Sequence, residues 1–361
     1  FFQEEDGIRD FCLSRGLGDV YKRQTPFYAE SGGQISDKGH ALYGSKNIEI
    51  FDVQKTKENI FLHESILKNG SIKTGETFDL EIDFERRVKI SSHHTATHIL
   101  HYALREVLGT HVRQAGSLVE DSRLRFDFSH FSNISEEMIN KIEKLCNIKI
   151  QENNDINIFE NVDYKKAIKD GANAFFEEKY GDRVRVVKIG NYSQELCGGT
   201  HIQKTGSLGL ITISSESAIS SGIRRIEAYT SIDAYDYYLS LKNNIYKSSQ
   251  LLGSSTNHVP DEIDRIKKEN KELKIKINNF EKLKSKDIAK NLNENSILIN
   301  GIKVITYLSQ ETSADELKSL WDEIKKNHEN VIGILGSNNG NKSVLICASN
   351  MKSSSFDCKK A

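Results

Sequence analysis

The chain changes its hydrophobic rhythm several times. From Thr25 to about Phe84, apolar and polar residues alternate in the short runs HALYG, NIEIFDVQ, NIFLHESIL and TFDLEIDF, separated by the turn pairs Gly32-Gly33, Asn69-Gly70 and Thr74-Gly75. Alternation of period two between such turns predicts a small antiparallel sheet or barrel. At Arg86 the period lengthens. Val88, Ser92, Thr95, Ile99, Tyr102 and Leu108 predict one long helix that stops at Gly109, a residue suited to a C-terminal cap. Strand-like HVRQAGSLVE and SRLRFDFSH follow, then an amphipathic helix from Ser135 through Cys146, and later the strands VRVVKIG and LGLITISSES. This mixture predicts an α+β domain ending near Thr230.

Residues 235–252 read as a helix, closed by Gly253-Ser254-Ser255. Beyond it Val259, Ile263, Ile266, Asn270, Leu273, Ile277 and Phe280 recur at spacings of four and three, a heptad seam with Asn270 at one core position. Two arrangements satisfy that seam: an antiparallel helical hairpin packed on itself or its neighbour, and a dimerising coiled coil in which the buried Asn fixes the register. The remaining segment offers the strands SILINGIKVITYL and ENVIGILGS, a helix around Trp321 and a hairpin NNGNKSVLICAS. The resulting division is 25–85 barrel-like, 86–235 α+β, 236–292 helical linker and coiled coil, and 293–361 a small α/β domain. Residues 1–24 have no sustained periodicity, begin with Phe1 and resemble translated adapter-like sequence, so they are read as a non-native or disordered leader.

Composition narrows the classes. Fifty Lys+Arg against 51 Asp+Glu leave a formal charge of −1, which excludes a uniformly basic nucleic-acid coat and leaves room for local clusters. No run of about 18 apolar residues is present, so no membrane partner is expected. Five cysteines, at 12, 146, 197, 347 and 358, are too scattered for a disulfide framework, which points to a reducing, cytoplasmic setting.

Histidine carries the sharpest chemical signal. Six of the eleven, His93, His94, His98, His101, His111 and His130, fall in one short stretch. His94 and His98 stand at i and i+4, on one face of the expected helix. A second motif, Cys197-Gly198-Gly199-Thr200-His201, sets a thiolate and an imidazole around two glycines that allow a tight fold. Each half alone is a weak signal. Together they supply three imidazoles and one thiolate, a borderline-soft set suited to Zn²⁺, with His93 and His101 as alternative ligands. HTATH lacks the glutamate of HExxH, so metalloprotease chemistry is not expected. Cys146, within IEKLCNIKI, reads as a small core residue. Arg86-Arg87-Val88-Lys89, Arg183/Arg185/Lys188 and Arg224-Arg225 are basic clusters that serve either as solvated faces or as phosphate contacts.

The segments TPFYAESGGQISDKG, HHTATHILHYALREVLGTHVRQAGSLVEDSRLRFDFSH, ELCGGTH and GIRRIEAYT closely resemble the editing region of bacterial alanyl-tRNA synthetases. The heptad segment and residues 296–361 look like the tether and C-terminal tRNA-binding domain of that family. The resemblance covers residues 25–361. It implies a small β-barrel, then a zinc-containing editing domain with an antiparallel sheet around a central helix, a coiled-coil tether and an incomplete α/β domain. It also implies a deacylase acting on seryl- or glycyl-tRNA(Ala), with one Zn²⁺ held by His94, His98, Cys197 and His201. Gln114 matches a glutamine that lines the family's editing pocket. Gln114 and Thr95 are the catalytic candidates, with Thr97 and His101 nearby and no general base assigned. Arg224, Arg225, Arg86 and Arg87 are the candidate tRNA contacts. The implied partner is tRNA(Ala) rather than DNA, with self-association through the C-terminal region.

The family's aminoacylation domain, which joins alanine to tRNA with ATP and Mg²⁺, would precede TPFYAESGGQ and is not expected in this chain. No GxxxxGK[ST] pattern is present either. SSSFDCKKA stands where the family ends in a glycine-rich segment. Threonyl-type editing domains share HxxxH and CxxxH, but GGTH, SGGQ and GIRRIEA favour the alanyl type. The non-enzyme alternative is a tRNA-binding module whose zinc is structural.

Overall fold

The computed structural model describes residues 25–57, 60–73, 75–174, 181–310, 312–326, 328–338, 340 and 343–351, and the backbone of residues 2–3. The rest of the expected leader and the tail SSSFDCKKA lie outside the described residues. The chain forms two compact units, Phe1–Asn243 and Asn244–Ala361.

The first unit begins with β1 (Phe2–Gln3), β2 (Gly39–Tyr43), β3 (Lys46–Lys55), β4 (Ile60–Leu67) and β5 (Asp79–Ile82). They form one antiparallel sheet in the order β1-β4-β3-β2-β5. Phe27, Ala41, Ile48, Ile50, Val53 and Phe61 make its core. The barrel expected here is corrected to an open sheet: among the described residues β5 bonds β2 and no pairing closes the row. Closure needs strands long enough to stagger around an axis. β5 has only four residues before the chain turns into the next helix.

That helix, α1 (Phe84–Leu108), is the centre of the unit. The Asp83 carboxylate caps it by accepting from Arg86 N at 3.0 Å, and Gly109, at φ 115°, closes it with its N–H on Arg105 O at 3.0 Å. Its turns between Ile90 and Leu104 are buried nearly all round, including Ser91, Ser92, His93, His94, Thr95, Thr97, His98 and His101. A helix surrounded by protein has little need of a polar face. Each of its buried polar side chains needs a partner instead.

The surrounding elements are β6 (Gln114–Val119), β7 (Leu124–Ser129), α2 (Glu136–Gln151), β8 (Ile156–Asp163), α3 (Tyr164–Lys169), β9 (Arg183–Ile189), β10 (Ser193–Leu196), β11 (Ile211–Ser220) and β12 (Ile223–Thr230). Two antiparallel sheets result, ordered β11-β12-β7-β6 and β10-β9-β8. Ser135 caps α2 by accepting from Met138 N. Ile99, Leu100 and Leu104 of α1 share one core with Phe126, Phe128, Ile142, Cys146, Val187 and Ile226. The α+β reading and the core placement of Cys146 follow from that packing.

The chain continues through α4 (Ser231–Leu252) into α5 (Val259–Glu294). Only Ser285 and Ala289 of α5 are buried. Ile263, Ile266, Leu273, Ile277 and Phe280 are exposed, so the antiparallel hairpin, one of the two arrangements open to the seam, is not formed over that stretch. The end of α5 packs instead: Ile288, Ala289 and Leu292 join Leu317, Leu320 and Ile324 of α6 (Ala314–Lys325) in a small core. Beneath lie β13 (Ile297–Ile299), β14 (Ile302–Ser309), β15 (Val331–Asn338) and β16 (Ser343–Ser349), in that order, with β14 and β15 parallel. No helix among the described residues is long and apolar enough to cross a membrane.

Candidate metal centre

Residues from two distant segments converge on one point inside the first unit. His94 and His98 project from the middle of α1, while Cys197 and His201 stand at either end of the loop after β10. One nitrogen or sulfur atom from each lies within 4.8 Å of all the others. The Cys197 Sγ atom is 3.3 Å from His94 Nε2 and 3.3 Å from His201 Nε2. A tetrahedral zinc with bonds of 2.0 to 2.3 Å sets its donors roughly 3.5 Å apart, so these separations fit an ion. His98 Nε2 is buried without a hydrogen-bond partner. Such an orphan is costly unless something occupies the space before it.

The loop geometry explains the two glycines. A Cβ on Gly199 would stand 1.9 Å from His94 Cε1 and 2.8 Å from Gln34 Oε1, whereas one on Gly198 meets nothing within 4 Å. Gly199 is therefore the residue that lets the loop close over the His94 ring. Arg185, from the basic cluster 183/185/188, braces the same loop by donating from Nη1 to Cys197 O at 3.0 Å and Gly199 O at 2.8 Å. The Gly199 N–H approaches Cys197 Sγ at 3.4 Å.

Each histidine of the group is gripped at its other ring nitrogen. His94 Nδ1 is 2.6 Å from Gln34 Oε1. His98 Nδ1 lies against Glu195 Oε2. His201 Nδ1 is 3.1 Å from Thr95 Oγ1. Partners of this kind fix ring orientation and tautomer at metal sites. Glu195 also takes His101 Nδ1 at 2.9 Å. His93, the other alternative ligand, turns away and accepts from Thr230 N at 3.3 Å. Neither joins the donor group among the described residues.

At Cys197 and His201 the electrostatics favour coordination, whereas at His98 an arriving ion has to displace a proton. Burial alone would raise the Cys197 thiol, but His94 and His201 outweigh it and hold the thiol well below its ordinary value. Burial pushes His201 down to about 3, leaving a neutral imidazole. Burial also opposes charge on His98, yet Glu195 and Cys197 outweigh it and raise that group to about 10. Glu195 is the counterpart: burial disfavours its carboxylate, His98 and His101 prevail, and it is held at about 2.

The other expected site residues occupy different surroundings. Thr95 Oγ1 donates to Ser91 O at 2.8 Å and receives Ile202 N at 3.3 Å, so its one hydrogen is committed to the helix. Gln114 starts β6, half-buried, and donates to Ser117 Oγ at 3.2 Å; Ser117 in turn reaches Gly32 O at 3.4 Å. The four arginines are all engaged within the chain. Arg86 pairs with Asp121 at 2.7 Å, and Arg87 holds Asp37 through Nε at 2.8 and 3.0 Å. Arg224 pairs with Glu216 through Nη2 at 2.7 Å, and Arg225 is bidentate on Asp127 at 2.7 and 2.8 Å. Two residues escaped the sequence reading, Gln34 and Glu195. Both sit inside motifs of the sequence, SGGQ and ELCGGTH; Glu195 stands two residues before Cys197, whereas Gln34 is 60 positions from His94 and offered no spacing signal.

Comparison with known proteins gives two family matches. The family described as "Threonyl and Alanyl tRNA synthetase second additional domain" matches residues 184–227, and "tRNA synthetases class II (A)" matches residues 18–86. Among individual proteins, the alanine--tRNA ligase of Xanthomonas campestris pv. campestris is 38% identical over 331 residues, covering 92% of this chain and 37% of the relative. That of Listeria welshimeri is 39% identical over 345 residues, covering 96% and 39% respectively. That of Acetivibrio thermocellus is 40% identical over 346 residues, covering 95% and 39%. The chain thus spans under two fifths of the length of these curated relatives. Over that matched length, the chain belongs to the alanyl-tRNA synthetase family.

Proposed function

We propose that this chain is a zinc-dependent editing deacylase, which hydrolyses seryl- or glycyl-tRNA(Ala) to free amino acid and tRNA. The observation that carries the reading is the convergence of His94, His98, Cys197 and His201 within 4.8 Å, inside a chain related to alanine--tRNA ligases. Water adds to the ester carbonyl, the bond to the terminal ribose oxygen breaks, and that oxygen takes a proton. Zn²⁺, when bound, supplies a cationic centre that orients the ester end of the substrate. The chain's own residues do the rest. Gln34, Glu195 and Thr95 hold the ligand rings, and Thr95 acts through His201 as a positioning residue. Gln114 offers a carboxamide for the hydroxyl of a serine ester. An alanyl ester would leave that group unpaired, which disfavours its hydrolysis relative to the seryl ester; the glycyl ester lacks the hydroxyl too, so Gln114 accounts for serine alone. A second sieve is useful because an alanine-sized pocket rejects an added hydroxyl poorly.

tRNA is the proposed partner. Arg86, Arg87, Arg224 and Arg225 belong to this proposal as phosphate contacts that share each guanidinium with its carboxylate. A second reading has one observation in its favour: four protein donors make a closed site of the structural kind, which suits a tRNA-binding module. The threonyl-type alternative is weakened by relatives that are alanine ligases. One experiment separates them. The chain is incubated with seryl-tRNA(Ala) and alanyl-tRNA(Ala), and released amino acid is counted. Serine release that outpaces alanine release and disappears in Cys197→Ala supports editing. Release unaffected by Cys197→Ala overturns the zinc-centred mechanism. No release with retained tRNA binding establishes the module.

A further inference from the structure

We infer that Gln34 is a positioning residue of the metal centre, through which the N-terminal sheet segment fixes both His94 and the loop carrying Cys197 and His201. The inference rests on the metal-binding reading above. Gln34 is fully buried. Its Oε1 is 2.9 Å from Thr200 N and 2.6 Å from His94 Nδ1. Its Nε2 donates to Thr200 Oγ1 at 3.0 Å, and Ser91 Oγ of α1 donates to the same Thr200 oxygen at 2.8 Å. The backbone N–H of Thr200 can only donate, so the amide atom facing it is the carbonyl oxygen. That oxygen also receives His94 Nδ1, which therefore carries the ring proton. His94 Nε2 is left with its lone pair, 3.3 Å from Cys197 Sγ. One carboxamide thus sets the ligand tautomer on α1 and ties down the residue preceding His201.

The carboxamide is presented by a rigid support. Gln34 N bonds Ser31 O at 3.0 Å in a tight turn, while Val119 N bonds Gly33 O at 2.7 Å and Ile35 N bonds Val119 O at 3.1 Å. Gly33, at φ +85°, lies so close to β6 that a Cβ there would be 2.4 Å from Ser117 O. The turn is clamped on that strand, and from it the side chain of Gln34 reaches His94 and Thr200. Removing such a partner typically weakens metal binding by 10–100-fold.

The test uses the full chain loaded with Co²⁺, whose visible bands and thiolate charge-transfer absorption report the ligand sphere independently of any hydrolysis. Cobalt affinity is measured by chelator competition for wild type, Gln34→Leu and Gln34→Glu. Gln34→Leu is expected to bind about 10–100-fold more weakly with shifted bands. Gln34→Glu, which keeps an acceptor at His94 Nδ1, is expected to restore affinity and spectrum. A folded Gln34→Leu with wild-type affinity and bands overturns the inference and leaves the metal reading standing. Wild-type chain that takes up no cobalt overturns the metal reading itself, and the inference with it. If Gln34→Leu fails to fold, Gln34→Asn, one methylene too short to reach, carries the same prediction.

Discussion

His98 is held at Nδ1 by Glu195 Oε2, with both side chains only 5% exposed. A carboxylate this deeply buried survives only because it is paired, and its second oxygen takes His101 Nδ1 at 2.9 Å. The pairing leaves His98 Nε2 facing the other three donors.

Replacing the carboxylate tests that role. Glu195→Gln retains size and an acceptor oxygen but loses the charge that faces His98 Nδ1. Zinc affinity is expected to fall about 10–100-fold, read by competition with a colorimetric chelator. Glu195→Ala should lose more, because two buried imidazoles then lack their common acceptor. Unchanged zinc affinity in both variants would show that Glu195 does not support metal binding through His98.

The two glycines between Cys197 and His201 predict opposite outcomes. Gly199→Ala places a methyl 1.9 Å from His94 Cε1 and should expel the ring, with zinc content dropping well below one per chain. Gly198→Ala meets open space and should bind zinc as wild type does. Metal analysis of the purified variants decides it, and equal zinc in both would mean that the loop does not close over His94.

Arg87, one of the proposed phosphate contacts, also holds Asp37, a carboxylate that accepts from Tyr28 N at 2.6 Å. Asp37 is 1% exposed. Arg87→Ala should therefore destabilise the first unit by about 3–5 kcal/mol, the usual consequence of stranding a buried charge. Denaturant unfolding measures this directly. A variant as stable as wild type that binds tRNA more weakly would leave Arg87 a phosphate contact alone, without the structural role.

The candidate ligands were legible because their chemistry repeats at short spacing: His94 and His98 share a helix face, and two glycines separate Cys197 from Thr200. Helix α1 was equally legible, since Gly109 marks its end. Gln34 and Glu195 were not. Their side chains are among the commonest on protein surfaces, and Gln34 meets His94 only after the chain has folded across a separation of 60 positions. Sequence also shows arginines without showing their partners, so the ion pairs of Arg86, Arg87, Arg224 and Arg225 could not be read from it. The barrel failed for a related reason. Alternation marks which residues face the core, whereas closure depends on whether the last strand reaches the first.

His63 gives the first unit a pH dependence. Its ring packs edge-on against Phe27, with centroids 5.4 Å apart, and lies 2.9 Å from Thr25 Oγ1. Burial pushes its imidazole below the ordinary value of 6.5. The unfolded chain therefore takes up a proton before the folded chain does, so stability is full above pH 6.5 and declines as the pH falls toward the folded value. Thermal unfolding at pH 8 and pH 5 should show the lower midpoint at pH 5. Because other groups titrate across the same range, the decisive comparison is His63→Gln, which keeps a polar side chain but cannot protonate. The variant should narrow the difference between the two midpoints. A difference as large as in wild type would assign the pH dependence to another group.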